Sequence, residues 1–172
     1  MLADKYPDQI SSILAKYPPD QKRSAVMPLL YLAQSEYGHI TPATMVEVGD
    51  LIDLSSTEVA GIVGFYTLYS DASFGKRRMQ ICTDLPCALR GAEAFAAAVC
   101  QKAGVKAGEI TPDGEFSVET VMCLAACDHA PMFQVQDANG IHYHESPSID
   151  QPLTADQALA IMDEYKRTGK SS

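Results

Sequence analysis

The sequence predicts an α+β protein in two parts, a helical bundle over residues 1–72 followed by an α/β domain over residues 73–172. Before about residue 71, apolar residues recur every three or four positions, which is the spacing of amphipathic helices. After Gly75, short alternating runs typical of strands surround one alanine-rich helical stretch. The predicted order of the second part is β-α-β-β-β-α, an α/β layer built on a right-handed βαβ unit.

Four helices are predicted in the first part, and the first two are recognised by their apolar stripes. These stripes are formed by Ile10, Ile13, Leu14 and Tyr17, and then by Val26, Leu29, Leu30 and Ala33. Gly38 follows the second stripe, and glycine is the residue that most often ends a helix. We therefore expect the second helix to stop there.

The third and fourth helices are predicted from the residues that begin them. Thr41 and Pro42 fit an N-cap followed by proline at the first helical position, in a helix that continues to about Ile52. Ser55 and Glu58 have the spacing of a capping box. The buried face of the fourth helix is then expected to contain Val59, Ile62, Val63 and Tyr66.

The second part begins with the strand "RRMQIC", followed by a crossover helix that opens at Cys87 and ends at Gly104. A second strand is predicted in "EFSVETVM". The runs "PMFQVQ" and "IHYHE" flank Asn139-Gly140, which is a strong hairpin signal. Thr154 and Gln157 form another capping box, which opens the last helix.

Composition excludes several classes of function. Although 47% of the residues are hydrophobic, no run approaches the roughly 18 to 20 apolar residues that cross a bilayer. The first residues include Asp4 and Asp8 where a transit peptide would carry arginine, so we expect a cytoplasmic protein. A net charge of −9 disfavours nucleic acid, because little here would neutralise phosphates, and it suits a protein partner.

The candidate site consists of two cysteine pairs, Cys82 with Cys87 and Cys123 with Cys127. Disulfides are disfavoured in a reducing cytoplasm, so paired cysteines there point to metal or redox chemistry. If the first two strands are parallel neighbours joined by the crossover helix, their carboxyl ends lie at the same edge of the sheet. Both pairs would then emerge together, where ligand sites of α/β sheets are usually found.

Three kinds of site remain open on the residues alone: a [2Fe-2S] cluster, a structural zinc ion, or two redox disulfides. The apolar "LAA" inside the second pair is less typical of zinc. A plant-type ferredoxin would need a further cysteine where the chain has Arg90, whereas one pair per iron fits a diiron cluster bound by four thiolates. Redox pairs are usually C-x-x-C. The residues favour the diiron cluster.

The cysteine spacing, the "DHAP" after Cys127 and the segment "GIVGFYTLY" resemble the thioredoxin-like [2Fe-2S] subunit of bacterial NADH:quinone oxidoreductase, respiratory complex I. The resemblance covers nearly the whole chain, including "YGHITPATMVEVGDLIDLSSTEVAGIVGFYTLYS" and "GEITPDGEFSVETVMCLAACDHAP". It implies a thioredoxin-like domain with a mixed sheet. It also implies that Cys82, Cys87, Cys123 and Cys127 are the ligands of one cluster.

The same resemblance implies a non-catalytic component that exchanges electrons with the FMN of a flavoprotein partner, which holds the NADH site. The complex would place the chain on the cytoplasmic side of the inner membrane without inserting it. NAD-linked hydrogenases and formate dehydrogenases use the same module. The family often has glycine where Ala125 lies, and some members have a glycine-threonine-alanine stretch in place of "TDLP". Gly61 and Gly64 follow no strand and make no dinucleotide fingerprint.

Five other residues have ordinary interpretations beside functional ones. Cys100 is expected in the core of the crossover helix. His129 is either an exposed loop histidine or a residue that tunes the cluster. His142 and His144 share one face of a strand, which we interpret as the solvated face of a hairpin rather than a metal clip. Arg90 either offsets cluster charge or is a surface arginine.

Overall fold

The computed structural model describes residues 1–169. The chain divides into two compact units, the first spanning Met1–Ser73 and the second beginning at Phe74. Among the helices of the described residues, none combines the length and the hydropathy that crossing a lipid bilayer requires.

The first unit is helical, and its residues form five α-helices and one 3₁₀ segment. The helices are α1 (Leu2–Lys5), α2 (Pro7–Leu14), α3 (Val26–Tyr37), α4 (Pro42–Ile52) and α5 (Ser56–Phe65), with the 3₁₀ segment at Pro19–Ala25.

The predicted helix boundaries in this unit are confirmed where a local hydrogen bond determines them. The Thr41 hydroxyl accepts a hydrogen bond from the backbone N–H of Thr44 at 3.2 Å and caps α4. Ser55 and Glu58 make both bonds of the capping box that opens α5. Gly38, at φ 80°, ends α3.

Two predicted positions in this unit are wrong. Tyr17 lies beyond the end of α2, because it precedes Pro18 and a residue before proline disfavours the helical conformation. Tyr66 follows the end of α5 with an extended backbone, and its side chain is 41% exposed. Its ring contacts that of Phe65 edge to face, with centroids 5.0 Å apart, instead of joining the buried face of α5.

The core of the first unit is an apolar cluster of α3, α4 and α5. Its fully buried side chains include Leu29, Leu30, Ala33, Ile40, Val48 and Val59. Gln34 is a buried polar side chain within it, and its amide is satisfied at both ends: it donates to the carbonyl of Leu68 at 2.9 Å and accepts from the N–H of Ser70 at 2.8 Å. These two hydrogen bonds hold the segment after α5, at Leu68 and Ser70, against α3.

The second unit contains a mixed sheet, as the sequence predicted, with strand order β2-β3-β1-β4-β5. The strands are β1 (Arg77–Cys82), β2 (Glu109–Ile110), β3 (Phe116–Val121), β4 (Phe133–Asp137) and β5 (Gly140–His144). The helices are α6 (Leu85–Leu89), α7 (Ala92–Ala103) and α8 (Ala155–Thr168). β1 pairs parallel with β3, and the remaining pairs are antiparallel.

One face of the sheet packs against α7 and α8. The strands contribute Met79, Ile81, Phe116, Val118, Phe133 and Val135 to this core. Tyr165 of α8 meets Phe116 edge to face with ring centroids 6.1 Å apart. The capping box of Thr154 and Gln157 and the end of α7 at Gly104 are both confirmed.

The crossover between β1 and β3 differs from the single helix that was predicted. It is broken into α6 and α7 at Gly91, whose φ of 83° lies in the left-handed region. Cys87 is therefore the third residue of a five-residue helix rather than the first residue of a long one. The two-residue strand β2 was not predicted, and it lies at the edge of the sheet beside β3.

Candidate metal centre

The two cysteine loops leave the sheet at the same edge, as the sequence predicted. Cys82 is the last residue of β1 and lies opposite Val121, the last residue of β3. The N–H of Thr83 donates to the carbonyl of Val121 at 3.0 Å, so the pairing continues just past the strand ends. Cys123 follows two residues after Val121. The parallel pairing therefore brings together two segments that are about 40 residues apart in sequence.

The first cysteine pair is buried. Cys82 is 2% exposed and Cys87 is 1% exposed, in a small apolar cluster with Ala92, Ala130 and Met132. The N–H of Cys82 donates to the carbonyl of Met132 at 3.2 Å. The short helix α6 returns the chain, so that Cys87 lies in the same buried cluster as Cys82.

The second pair lies at the surface of the same site. The Sγ atoms of Cys123 and Cys127 are 3.5 Å apart, with Cys123 exposed and Cys127 partly exposed. The loop between them turns through Ala125, whose φ of 65° is in the left-handed region. From that conformation the N–H of Ala125 donates to Sγ of Cys123 at 3.3 Å.

The electrostatics of the site favour bound protons in the metal-free chain. Burial, followed by the neighbouring Cys82 thiol and then those of Cys127 and Cys123, raises the pKa of the Cys87 thiol to about 12. The hydrogen bond with Cys123, followed by burial, raises the pKa of Cys127. A bound cation reverses this preference, since it stabilises thiolates and displaces their protons.

The second cysteine pair has the spacing that two thiolates on one metal ion require. Two sulfurs about 2.3 Å from one tetrahedral ion would lie about 3.8 Å apart, close to the 3.5 Å between Cys123 and Cys127. Within residues 1–169, no three or more His, Cys, Asp or Glu side chains lie close enough together to hold one metal ion. A [2Fe-2S] cluster requires two thiolates for each of its two irons, which is one cysteine pair per iron.

Cys100 lies in the core of the second unit, which confirms the interpretation of this residue. It is 9% exposed and belongs to the apolar cluster that α7 forms against the sheet. Burial raises the pKa of its thiol.

The interpretation of the two strand histidines is wrong for His144. Its ring stacks on Phe133 with centroids 4.9 Å apart, and its Nε2 lies 3.3 Å from the hydroxyl of Tyr165. Burial lowers the pKa of His144. The face of β5 that carries both histidines is covered at His144 by α8, whereas His142 remains 39% exposed beside Asp137.

Arg90 and His129 both make specific hydrogen bonds close to the cysteines. Nε of Arg90 donates to the carbonyl of Ala130 at 2.8 Å. Nδ1 of His129 lies 3.0 Å from the carbonyl of Ser146, and because a carbonyl only accepts, Nδ1 carries the proton. Ser146 itself is completely buried, and no sequence signal in "HESPSID" singled it out.

Comparison with known families gives a match over most of the chain. The model of the thioredoxin-like [2Fe-2S] ferredoxin family matches residues 10–166. NADH-quinone oxidoreductase subunit 2 of Thermus thermophilus is 36% identical over 167 residues, which cover 97% of this chain and 92% of that protein. An NADH-quinone oxidoreductase subunit of Rickettsia bellii is 36% identical over 155 residues, covering 90% of this chain and 87% of that protein.

A solved structure shares the fold at low sequence identity. An NAD⁺-reducing [NiFe]-hydrogenase in its H₂-reduced state superposes with a TM-score of 0.60 at 16% identity. The superposition covers 81% of this chain but only 22% of the hydrogenase chain, so this chain spans about a fifth of that protein.

Proposed function

The chain belongs to the thioredoxin-like [2Fe-2S] ferredoxin family, and from this membership we propose that it is an electron-transfer subunit of an NADH-oxidising complex. A [2Fe-2S] cluster takes up and releases one electron at a time. NADH-quinone oxidoreductase is favoured over a hydrogenase or a formate dehydrogenase. Subunits named for that complex match this chain at 33–38% identity, whereas the hydrogenase likeness extends to the fold alone.

The cluster ligands in this proposal are Cys82, Cys87, Cys123 and Cys127. The observation that carries the assignment is that both cysteine pairs lie at one sheet edge, with Cys82 and Cys87 in one buried cluster and the Sγ atoms of Cys123 and Cys127 3.5 Å apart. Each pair supplies two thiolates to one iron.

The surrounding residues divide the site into a dry side and an open side. Ala92, Ala130 and Met132 enclose Cys82 and Cys87 and exclude water from them. The exposed position of Cys123 leaves the second pair as the side through which electrons enter or leave. The N–H of Ala125 stabilises negative charge on the sulfur of Cys123.

The partner in this proposal is a flavoprotein subunit that holds FMN and the NADH site, on the cytoplasmic side of the membrane. Exposed apolar side chains adjacent to the cysteines in sequence support a protein contact at this edge. Leu85 is 68% exposed, Leu89 is 80% exposed and Met122 is 71% exposed. Apolar side chains left at the surface around a site are typical of a protein interface.

The proposal is tested by mixing the oxygen-free, iron-containing chain with NADH in the presence and absence of the flavoprotein subunit. Bleaching of the visible absorption of the cluster should occur only when the flavoprotein is present, while dithionite should reduce both samples. Free FMN in place of the flavoprotein serves as the control for a flavin that is not held by protein. Reduction of the chain alone by NADH at catalytic rates, or a colourless protein that contains zinc in place of iron, would refute the proposal.

A further inference from the structure

Three consecutive backbone carbonyls after Cys127 are each held by one of two residues, Arg90 and Ser146. The carbonyl of His129 accepts from the N–H of Ser146 at 3.0 Å. The carbonyl of Ala130 accepts from Nε of Arg90 at 2.8 Å, and that of Pro131 accepts from the hydroxyl of Ser146 at 2.8 Å. The exit of the second cysteine loop is therefore bonded at each of these three residues.

Arg90 connects this exit to the segment that carries Cys87. It is the C-cap residue that follows α6, and its own N–H donates to the carbonyl of Cys87 at 3.1 Å. Its Nη2 also donates to the carbonyl of Ile149. One arginine thus joins the first cysteine loop, the second cysteine loop and the segment after β5.

Ser146 bonds to the same exit through two further carbonyls, and it is itself held by hydrogen bonds. It has no solvent exposure, and its hydroxyl accepts from the N–H of Leu153 at 2.9 Å while donating to Pro131. Its carbonyl lies 3.0 Å from Nδ1 of His129 and accepts its proton. All of the polar groups of Ser146 are thus engaged, and two of its three neighbours in this network belong to the second cysteine loop.

The second cysteine loop needs such support because it has little regular structure. Between β3 and β4, the described chain forms only the 3₁₀ turn Cys127–His129. Together with the backbone bonds already described, side-chain bonds that cross between segments therefore hold the second cysteine loop in place relative to the first. In metal sites generally, the residues that orient the ligands tune the metal, and their substitution typically costs roughly 10- to 100-fold in metal affinity or activity.

We propose that Arg90 and Ser146 are positioning residues, which fix the Cys123–Cys127 loop against the Cys87 helix and thereby set the geometry and reduction potential of the bound cluster. This inference rests on the proposed function, since it requires that the four cysteines bind the cluster. The alternative role for Arg90 is that of a nearby positive charge, which would act on the potential without any requirement for its two carbonyl bonds.

Charge and positioning are separated by the choice of substitution at Arg90. Arg90→Lys keeps the charge but replaces the planar fork, which reaches two carbonyls, with a single ammonium group. Arg90→Gln removes the charge as well. Arg167→Gln makes the same charge change at an exposed position of α8 and serves as the matched control. Ser146→Ala removes the hydroxyl that donates to the carbonyl of Pro131, and it does so without any change of charge.

The measurements are the EPR spectrum of the reduced cluster, its midpoint potential by redox titration, and the rate of iron release to a chelator, all on the cluster-loaded full chain. Arg90→Lys, Arg90→Gln and Ser146→Ala should each change the g-values, shift the potential and release iron about tenfold faster or more, while Arg167→Gln matches wild type. Arg90→Lys is the conservative variant, and it decides the test even if Ser146→Ala does not fold.

Two results would overturn this inference and leave the proposed function intact. One is an Arg90→Lys protein with the spectrum and potential of wild type beside a shifted Arg90→Gln protein, which would assign the effect to charge. The other is a lower melting temperature in the Arg90 and Ser146 variants with an unchanged EPR spectrum and midpoint potential. That result would show that the two residues stabilise the fold but do not set the properties of the cluster. Absence of any [2Fe-2S] signal in wild type would instead overturn the proposed function, and this inference with it.

Discussion

The backbone N–H of Ala125 donates to Sγ of Cys123 at 3.3 Å, and Ala125 makes this bond from a left-handed conformation with φ 65°. For residues with a Cβ this conformation costs roughly 1–2 kcal/mol. The turn at Ala125 brings the backbone of the C-x3-C loop back to the sulfur of Cys123. Ala125 therefore carries backbone strain at a position where glycine would carry none.

We expect Ala125→Gly to stabilise the protein. Removing the strain gains about 1–2 kcal/mol, while the extra freedom of glycine in the unfolded chain costs about 0.5–1 kcal/mol, so the net gain is about 0–1.5 kcal/mol, with a central value of about 0.75 kcal/mol. For a chain of this size the central value raises the melting temperature by about 1.5–3 °C. The measurement is thermal unfolding of the cluster-loaded protein, followed by circular dichroism without oxygen.

Ala126→Gly is the matched control for this prediction. Ala126 is the next residue along the same loop, but its φ of −116° suits any residue. Glycine there should lose about 0.5–1 kcal/mol, because it adds unfolded-state freedom and relieves nothing. Equal effects of the two substitutions would show that the left-handed turn stores no strain.

Asp113 should stabilise the second unit in a manner that depends on pH. The ammonium of Lys166 lies 2.7 Å from one carboxylate oxygen, and the other accepts from the Thr111 hydroxyl at 2.6 Å and from the N–H of Glu115 at 3.0 Å. Lys166, followed by the Thr111 and Glu115 bonds, lowers the pKa of Asp113 well below its usual value. The folded state therefore favours the ionised carboxylate.

A lowered pKa in the folded state stabilises the protein above the unfolded pKa, and the stabilisation is lost as the pH falls toward the folded value. Since the side chain is 44% exposed, solvent screening limits the loss in Asp113→Asn to about 1 kcal/mol at neutral pH. The difference from wild type should persist down to about pH 5 and shrink below about pH 4. Urea unfolding at several pH values measures it.

The control for this pH dependence is Asp163→Asn. Asp163 lies 3.8 Å from the same ammonium group of Lys166, but its side chain is 74% exposed. The same change of charge should therefore have little effect on stability at any of these pH values. A loss as large as that of Asp113→Asn, or a loss that grows as the pH falls, would contradict the assignment.

Sequence patterns predicted the features that local hydrogen bonds determine. The capping boxes at Ser55 and Thr154 bond residues three positions apart. Both partners can therefore be recognised from a short stretch of sequence. The parallel pairing of β1 with β3 followed from the crossover between them. The placement of the two cysteine loops at one edge followed in turn.

Features that depend on distant partners carried no sequence signal. Arg90 bonds a carbonyl 40 residues away, and Ser146 is buried because of the loop that it holds. Alternation placed His142 and His144 on one face of β5 but did not indicate that Tyr165 of α8 would cover that face. The strand β2 has only two residues, which is too short for any periodicity.

The same substitution at two helical glycines should have opposite effects on stability. Gly61 lies within α5, and a Cβ there would meet nothing within 4 Å, so Gly61→Ala should gain about 1 kcal/mol from helix propensity. Gly49 lies within α4, where the chain turns back so closely that a Cβ would overlap the carbonyl oxygen of Leu54. Gly49→Ala should therefore lose roughly 1–3 kcal/mol despite its better propensity. Urea unfolding of both variants measures the signs, and a gain in stability for Gly49→Ala as well would mean that the turn at Leu54 shifts to make room for the Cβ.

The five cysteines should divide into four that hold the cluster and one that does not. Replacing Cys82, Cys87, Cys123 or Cys127 with alanine removes a thiolate from one iron, so the EPR spectrum of the reduced wild-type cluster should be lost or altered in each variant. Cys100→Ala trims one sulfur from the packed face of α7 and should cost roughly 1–2 kcal/mol as a small cavity, with iron, sulfide and EPR spectrum retained. Cys100→Ala thus serves as the matched control, because it is the same substitution at a buried thiol of the same unit. Cluster loss in a folded Cys100→Ala protein, or an unchanged spectrum after any one of the other four replacements, would refute the ligand assignment.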